Sequence, residues 1–267
     1  MHELERGDYD RALPLFKDLP YIPPRSVLLG ITPGRVFVDS AEFPHTGLVW
    51  TRWGFAYLAG DSRSDAFSRQ LRDQVLDELV ANTTGREKGF LLFPCSQDWE
   101  ARLHLLLEDR RPNKIFRRSF TFNPSNFSNH YGWLNRLPAG FHIYRIDEKL
   151  LERSQGRISA EIEAAWGSTK DFLNCGFGFC LMHGSEIVSL CTSPFIAGRE
   201  VEVCIRTDPH YRSKGHATVT ALAFLEHCLL NDLIPNWECP WDHVASCALA
   251  IRLGFENPVD RPVYYWE

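Results

Sequence analysis

Arg212-Ser213-Lys214-Gly215-His216-Ala217 joins two segments of opposite periodicity. Upstream, Val201 to Ile205 alternates aliphatic with polar residues, the period of a strand; downstream, the apolar run from Thr218 to Leu230 predicts a helix. Gly215 permits positive φ and close backbone approach. The N–H groups of such a turn and of the helix start converge on one spot, and Arg212 and Lys214 add positive charge. A strand, a basic glycine turn and a helix therefore predict an α/β layer with an anion site that fits a pyrophosphate. Without those surroundings the same hexapeptide reads as a solvated surface turn.

At 267 residues the chain is long enough for one large domain or two of about 130 residues, each with a full core. A net charge of -5 and a pI near 6.1 give no basic face for nucleic acid. Arg110-Arg111 and Arg117-Arg118 read as solvated turn residues. No window approaches the length of an apolar membrane span, and Met1-His2-Glu3-Leu4-Glu5-Arg6 is acidic where a secretory signal is basic then apolar. A cytoplasmic protein without a membrane partner is expected. The eight cysteines include no Cys-x-x-Cys pair and no companion His at ligand spacing, so reduced thiols buried like small hydrophobes are expected, and no metal.

Outward from the turn, the second half reads as a strand at Phe141 to Ile146 and helices at Asp147 to Leu151 and Ser159 to Trp166. Strands follow at Gly178 to His183, Glu186 to Thr192 and Glu200 to Arg206, then the turn, the helix from Thr218, a strand at Pro235 to Cys239, a helix from Val244 to Leu253 and a strand near Pro262 to Trp266. The first half reads as a helix at Tyr9 to Asp18 and a meander of four strands, Ser26 to Leu29, Arg35 to Val38, Gly47 to Trp53 and Phe55 to Leu58. A helix at Asp65 to Val80, a strand at Gly89 to Phe93, a helix at Trp99 to Leu107 and a strand at Lys114 to Phe122 complete it. The turn-rich stretch Asn123 to His130 is the linker candidate, which predicts domains of residues 1–125 and 126–267. The two halves share an order of elements, which suggests two related folds or a plain α+β extension. Where the second half has its basic turn, the first has Gly60-Asp61-Ser62-Arg63-Ser64-Asp65, with two carboxylates and a poorer home for phosphate.

Arg212, Gly215 and Ala217 resemble the acetyl-CoA motif of the GNAT N-acetyltransferase superfamily: Arg or Gln, two residues, Gly, one residue, then Gly or Ala. Asp208-Pro209-His210-Tyr211 before it and Leu253-Gly254-Phe255 after the last helix are similar to that superfamily's flanks. Pro235-x-Trp237-x-Cys239, Ser246, Val36-Phe37-Val38-Asp39 and Phe55-Ala56-Tyr57-Leu58-Ala59-Gly60 look like a bacterial subgroup that includes zwittermicin-resistance-like acetyltransferases. The resemblance implies a mixed, mostly antiparallel sheet flanked by helices in the second half. It also implies a degenerate version of that fold in the first half, shaping the acceptor pocket. Acetyl-CoA would be held by Arg212, Ser213, Lys214, Gly215, His216, Ala217 and Thr218, with backbone of Cys204, Ile205 and Arg206 and the side chain of Ser246 also in contact.

Acetyl transfer to an amine needs the thioester held beside the nitrogen and a base for the ammonium proton. Glu200 and Glu202 share one face of an alternating strand, and by resemblance Glu202 holds the general-base position; the other reading is a solvated strand carboxylate. Many relatives carry a Tyr four residues before the glycine of Leu-Gly-Phe, where this chain has Ala250, which leaves Tyr264 and Tyr265 as candidate acids or no protein acid. Asp242 reads as the cap of the last helix. The expected function is acetyl transfer to a small-molecule amine in a ternary complex. The alternative is a non-catalytic acyl-CoA-binding or regulatory module, and both a monomer and a homodimer stay open.

Overall fold

The computed structural model describes residues 1–81, 90–127, 130 and 132–266. The chain forms two compact units, one of residues 1–116 with 261–267 and the other of residues 117–260. The break thus falls inside a strand, where turn-forming residues had pointed to 125/126. Turn formers mark where regular structure stops, whereas unit membership depends on which core the flanking strand enters. Phe120 and Phe122 enter that of the second unit.

In the first unit β1 (His2–Glu3), α1 (Leu13–Phe16) and α2 (Ile22–Leu28) precede an antiparallel meander of β2 (Gly34–Val38), β3 (Thr46–Thr51) and β4 (Phe55–Gly60). The strand predicted at Ser26 to Leu29 is instead mostly the end of α2. Pro23 and Pro24 occupy the opening helical positions, where a missing N–H costs nothing, and a four-residue apolar run has no period of its own. After α3 (Asp65–Gln70), a π-helical turn at Leu71–Val75 and α4 (Leu76–Ala81), strand β5 (Leu91–Pro94) returns parallel to β4, followed by α5 (Gln97–Leu106). Gly89, which opens the predicted strand here, lies outside the described residues. Alternation along the strands separates two cores, one with Leu48, Leu58, Leu92 and Trp99, the other with Val49, Tyr57, Leu91 and Phe93.

The chain leaves through β6 (Asn113–Phe122). It continues as α6 (Pro124–Phe127), β7 (Phe141–Arg145), α7 (Glu148–Arg153), α8 (Ser159–Trp166), α9 (Thr169–Cys175), β8 (Gly178–His183) and β9 (Glu186–Thr192). Helix α6 takes part of the expected linker, of which Ser128 and Asn129 lie outside the described residues; α9 has no counterpart in the sequence reading. Next come β10 (Ile196–Ala197), β11 (Glu200–Glu202), β12 (Cys204–Thr207), α10 (His216–Leu230), β13 (Ile234–Pro240), α11 (Val244–Arg252) and β14 (Phe255–Tyr265). The last residues of β14 return to the first unit, where Tyr264 stands opposite Leu92.

Within the second unit the strands run β14-β6-β13-β11-β10 in one sheet and β12-β9-β8-β7 in another. The single strand predicted over Glu200 to Arg206 is broken at Val203. Up to that residue β11 lies parallel to β13; beyond it β12 pairs antiparallel with β9. Glu202 N donates to Phe195 O at 3.0 Å and Val203 N to Asn236 O at 2.9 Å, after which β12 and β13 belong to different sheets. The predicted alternation therefore holds through the buried Val201 and Val203 and lapses at Cys204 and Ile205, both half-buried. Helix α10 buries Val219, Leu222, Phe224, Leu225 and Cys228 in one core with Phe177, Val201 and Trp237. No helix among the described residues is long and apolar enough to cross a membrane.

Candidate functional site

The turn before α10 is built by local bonds. Asp208 accepts the N–H of His210 at 2.9 Å and caps a short helical turn at Pro209–Tyr211. Arg212 Nε then donates to Thr207 O at 3.2 Å and Lys214 Nζ to His210 O at 3.2 Å. Ser213 and Gly215 both adopt left-handed backbone, with φ of 60° and 83°. Residue 219 is the first whose N–H finds a helical partner, Gly215 O at 3.2 Å. None of the N–H groups from Ser213 to Thr218 donates to a protein acceptor among the described residues. Arg212 to Gly215 are exposed, and nothing lies within 4 Å of where a Cβ would stand on Gly215. A run of free donors at a helix start, with two cations and no side chain barring approach, suits a polyphosphate.

His216 adds to this turn through its backbone. Its ring is 5% exposed and stacks on Phe141, centroids 4.7 Å apart; burial, Lys214 and His183 hold its pKa below the ordinary value. Ala217 and Thr218 are half-buried in the first turn of α10. Cys204, Ile205 and Arg206 lie on β12, the outer strand of its sheet. Arg206 is exposed and ion-paired with Glu161 at 3.0 Å.

Glu202 sits where the strands part. Its carboxylate is half-buried and makes no hydrogen bond or ion pair among the described residues. Burial raises its pKa well above the usual carboxylate range, the Glu238 charge adds to this, Arg117 opposes it, and Glu200 adds a little more. The neighbours come from cross-strand register. Glu202 stands opposite Asn236 on β13; Glu238, two residues on, shares that face, and Arg117 reaches it from β6 with Nε 2.5 Å from Glu238 Oε1. Sequence reasoning missed this pair. Arg117, expected as a solvated turn residue, lies in a strand with its side chain 14% exposed, as does Glu238. The available signal was the alternation of Asn236 and Glu238 with Pro235, Trp237 and Cys239.

Ser246 lies in the first turn of α11, its hydroxyl accepting from Trp237 Nε1 at 3.1 Å. His243, not Asp242, caps this helix, its Nδ1 accepting the Ser246 N–H at 3.0 Å. An imidazole nitrogen can accept as a carboxylate does, and the chain enters the helix one residue later than the acidic residue suggested. Tyr264 belongs to the first unit, 1% exposed, with its hydroxyl donating to Glu100 at 3.0 Å and 3.2 Å from His104 Nε2; burial and Glu100 push its pKa up. Tyr265, beside it, is half-buried.

The turn after β4 in the first unit behaves differently. Asp61 accepts the backbone N–H of Arg63 at 3.0 Å and its guanidinium at 2.9 Å, and these bonds hold the Asp61 pKa down at about 2. The turn thus carries its own anion. A groove of about 500 Å3 lined by Trp133, Tyr144, Phe179 and His227 faces the later part of α10 and includes none of the predicted site residues. No cluster of three or more His, Cys, Asp or Glu able to hold a metal occurs among the described residues.

Comparison with known proteins bears on this geometry. A family model described as GNAT acetyltransferase matches residues 14–264. The chain is 32% identical to an uncharacterized N-acetyltransferase, YdfB, of Bacillus subtilis (strain 168), over 99% of its own length and 98% of that protein's. It superposes on a GCN5-related N-acetyltransferase-like protein from Streptococcus suis with a TM-score of 0.74, at 24% identity and over 98% and 99% of the two chains. A tandem GNAT protein from the clavulanic acid biosynthesis pathway is similar at a TM-score of 0.59 and 13% identity, over 97% and 94%. The last two show likeness of fold, as does the helix-flanked, mostly antiparallel sheet itself. With a family model spanning nearly the whole chain and a full-length relative, the protein belongs to the GNAT acetyltransferase family.

Proposed function

We propose that the second unit binds acetyl-CoA at Arg212 to Thr218 and transfers its acetyl group to the amine of a small molecule in a ternary complex. The run of unsatisfied N–H groups from Ser213 to Thr218, flanked by exposed Arg212 and Lys214, carries this reading. These groups would hold the pyrophosphate, and the outer strand β12 at Cys204 to Arg206 would lie along the arm of the coenzyme, with Ser246 a further contact. Bound there, acetyl-CoA supplies an activated acyl group. Glu202, directly or through a water it orders, takes the ammonium proton so that the acceptor nitrogen can attack. A carboxylate with raised proton affinity and no protein partner suits that task. Backbone N–H groups of the Cys204 strand would polarise the thioester carbonyl.

No protein acid is assigned. The Tyr264 hydroxyl is engaged by Glu100 and His104, Ala250 offers no hydroxyl, and a thiolate departs with little help. Ala250 also favours a second reading, a cytoplasmic module that binds acyl-CoA without turnover. Calorimetry with acetyl-CoA and a thiol-release assay over a panel of amines separate the two. Binding with turnover is expected; tight binding without turnover on any amine supports the module, and no binding refutes both.

A further inference from the structure

Five residues from three strands share one face of the second unit's sheet near the point where β11 and β13 part. Glu202 on β11 stands opposite Asn236 on β13, and Glu238 lies two residues further along β13, on the same side. On β6, Ser119 stands opposite Glu238 and Arg117 opposite Pro240, so Arg117 belongs to this face as well. Diagonal neighbours of adjacent strands are about 7–8 Å apart, within reach of long side chains. The other face is apolar, with Val201, Val203, Phe120, Trp237 and Cys239 all in the core.

We propose that the Arg117–Glu238 ion pair is a positioning pair for Glu202, a fixed dipole held beside its carboxylate by the register of three strands. The proposal rests on the reading of Glu202 as the base. Geometry limits what the pair can do: with Nε 2.5 Å from Oε1 and both side chains 14% exposed, the guanidinium is committed to Glu238 and neutralises it in part. Glu238 then presents residual negative charge to Glu202, and Arg117 a weaker positive charge from behind. The charged groups acting on Glu202 among the described residues are Glu238, Arg117 and Glu200. Of these, Glu238 disfavours the ionised form and Arg117 favours it. The protein thus tunes the base by adding a carboxylate and checks that effect with a cation, so that removing either partner moves the proton affinity of Glu202 in opposite directions.

The test is a pH titration of the Glu202 carboxyl carbon by NMR in the full-length chain labelled with carboxyl-13C glutamate, its resonance assigned by its loss in Glu202→Gln. In Glu238→Gln the midpoint should fall, and in Arg117→Gln it should rise. Because an unpaired half-buried charge can unfold a variant, the double variant Arg117→Gln/Glu238→Gln replaces the pair by two amides and should titrate between the singles. Midpoints that stay put, or that move the same way in both single variants, overturn the proposal. The acid limb of kcat/KM with acetyl-CoA and an acceptor from the amine panel separates the underlying reading. If the carbon titrations shift as expected while the limb does not follow, Glu202 is not the base although the pair still tunes it. If they do not shift, the pair fails whatever the limb does.

Discussion

Replacing Gly215 by Ala adds one methyl group at a position where the structure separates two costs. The residue has φ 83° and ψ −1° at the start of α10, a left-handed conformation that costs a residue with a Cβ about 1–2 kcal/mol. Nothing lies within 4 Å of the added Cβ, so no clash is added and the loss of stability should stay within that range. At about 2–4 °C per kcal/mol for a unit of this size, the second unit's transition should fall by about 2–8 °C. At the proposed pyrophosphate site the same methyl would stand in the space through which a phosphate approaches the Ser213 to Thr218 amides. Loss of one charge-assisted hydrogen bond, about 1.5–3 kcal/mol, raises the Kd for acetyl-CoA about 10- to 150-fold. Gly156→Ala is the control: φ is 82° and its Cβ also meets nothing, so it should lose similar stability with acetyl-CoA affinity unchanged. Melting followed by circular dichroism and calorimetry with acetyl-CoA read the two quantities. A Gly215→Ala protein that melts like the wild type refutes the left-handed turn. One that melts lower but binds acetyl-CoA undiminished refutes the turn as the phosphate site.

Glu202→Gln should abolish the acid limb of turnover and also change stability with pH. Because the folded pKa of Glu202 is raised, its contribution is fully present below the unfolded carboxyl pKa and is lost as pH rises through the folded one. The Tm of the variant relative to wild type should therefore climb across that window in melts at a series of pH values, and a flat difference contradicts the burial argument. Ser213→Gly should raise Tm, since Ser213 holds φ 60° without being glycine and relief of that strain is worth about 1–2 kcal/mol; unchanged Tm would mean the loop relaxes without it. Among the cysteines Cys175 is exposed, while Cys180, Cys191 and Cys228 are buried with raised pKa values. Native alkylation by N-ethylmaleimide followed by peptide mass mapping should find Cys175 modified and those three protected, and early labelling of Cys191 would contradict the core packing.

Most elements of the second unit were legible because they are long enough to show their period. Helix α10 and strands β8, β9 and β13 read directly from apolar spacing, and the turn between strand and helix from its glycine and charges. Short elements were not. Ser26 to Leu29 had too few residues to distinguish strand from helix, and α9 carries a mixed polar sequence, Thr169 to Cys175, whose buried residue is Phe172. The two turns after β4 and before α10 differ in sequence by their carboxylates, but only the bonding showed what that means: Asp61 satisfies its own turn, while the N–H groups from Ser213 to Thr218 find no protein acceptor among the described residues. Nor did the sequence indicate that Tyr264, a candidate acid, would be claimed by Glu100 and His104, which are far from it along the chain.

By itself, the sequence determined the layer order, the basic turn at Arg212 to Ala217, the absence of metal-ligand spacing and the family resemblance. All of these are local, carried by residue type and spacing within a few turns or strands. Tertiary structure alone decided where β11 and β12 part, that Arg117 is a half-buried partner of Glu238, and that both share a sheet face with Glu202. These depend on pairing between strands separated by many residues, and no local period encodes which strand will lie beside which.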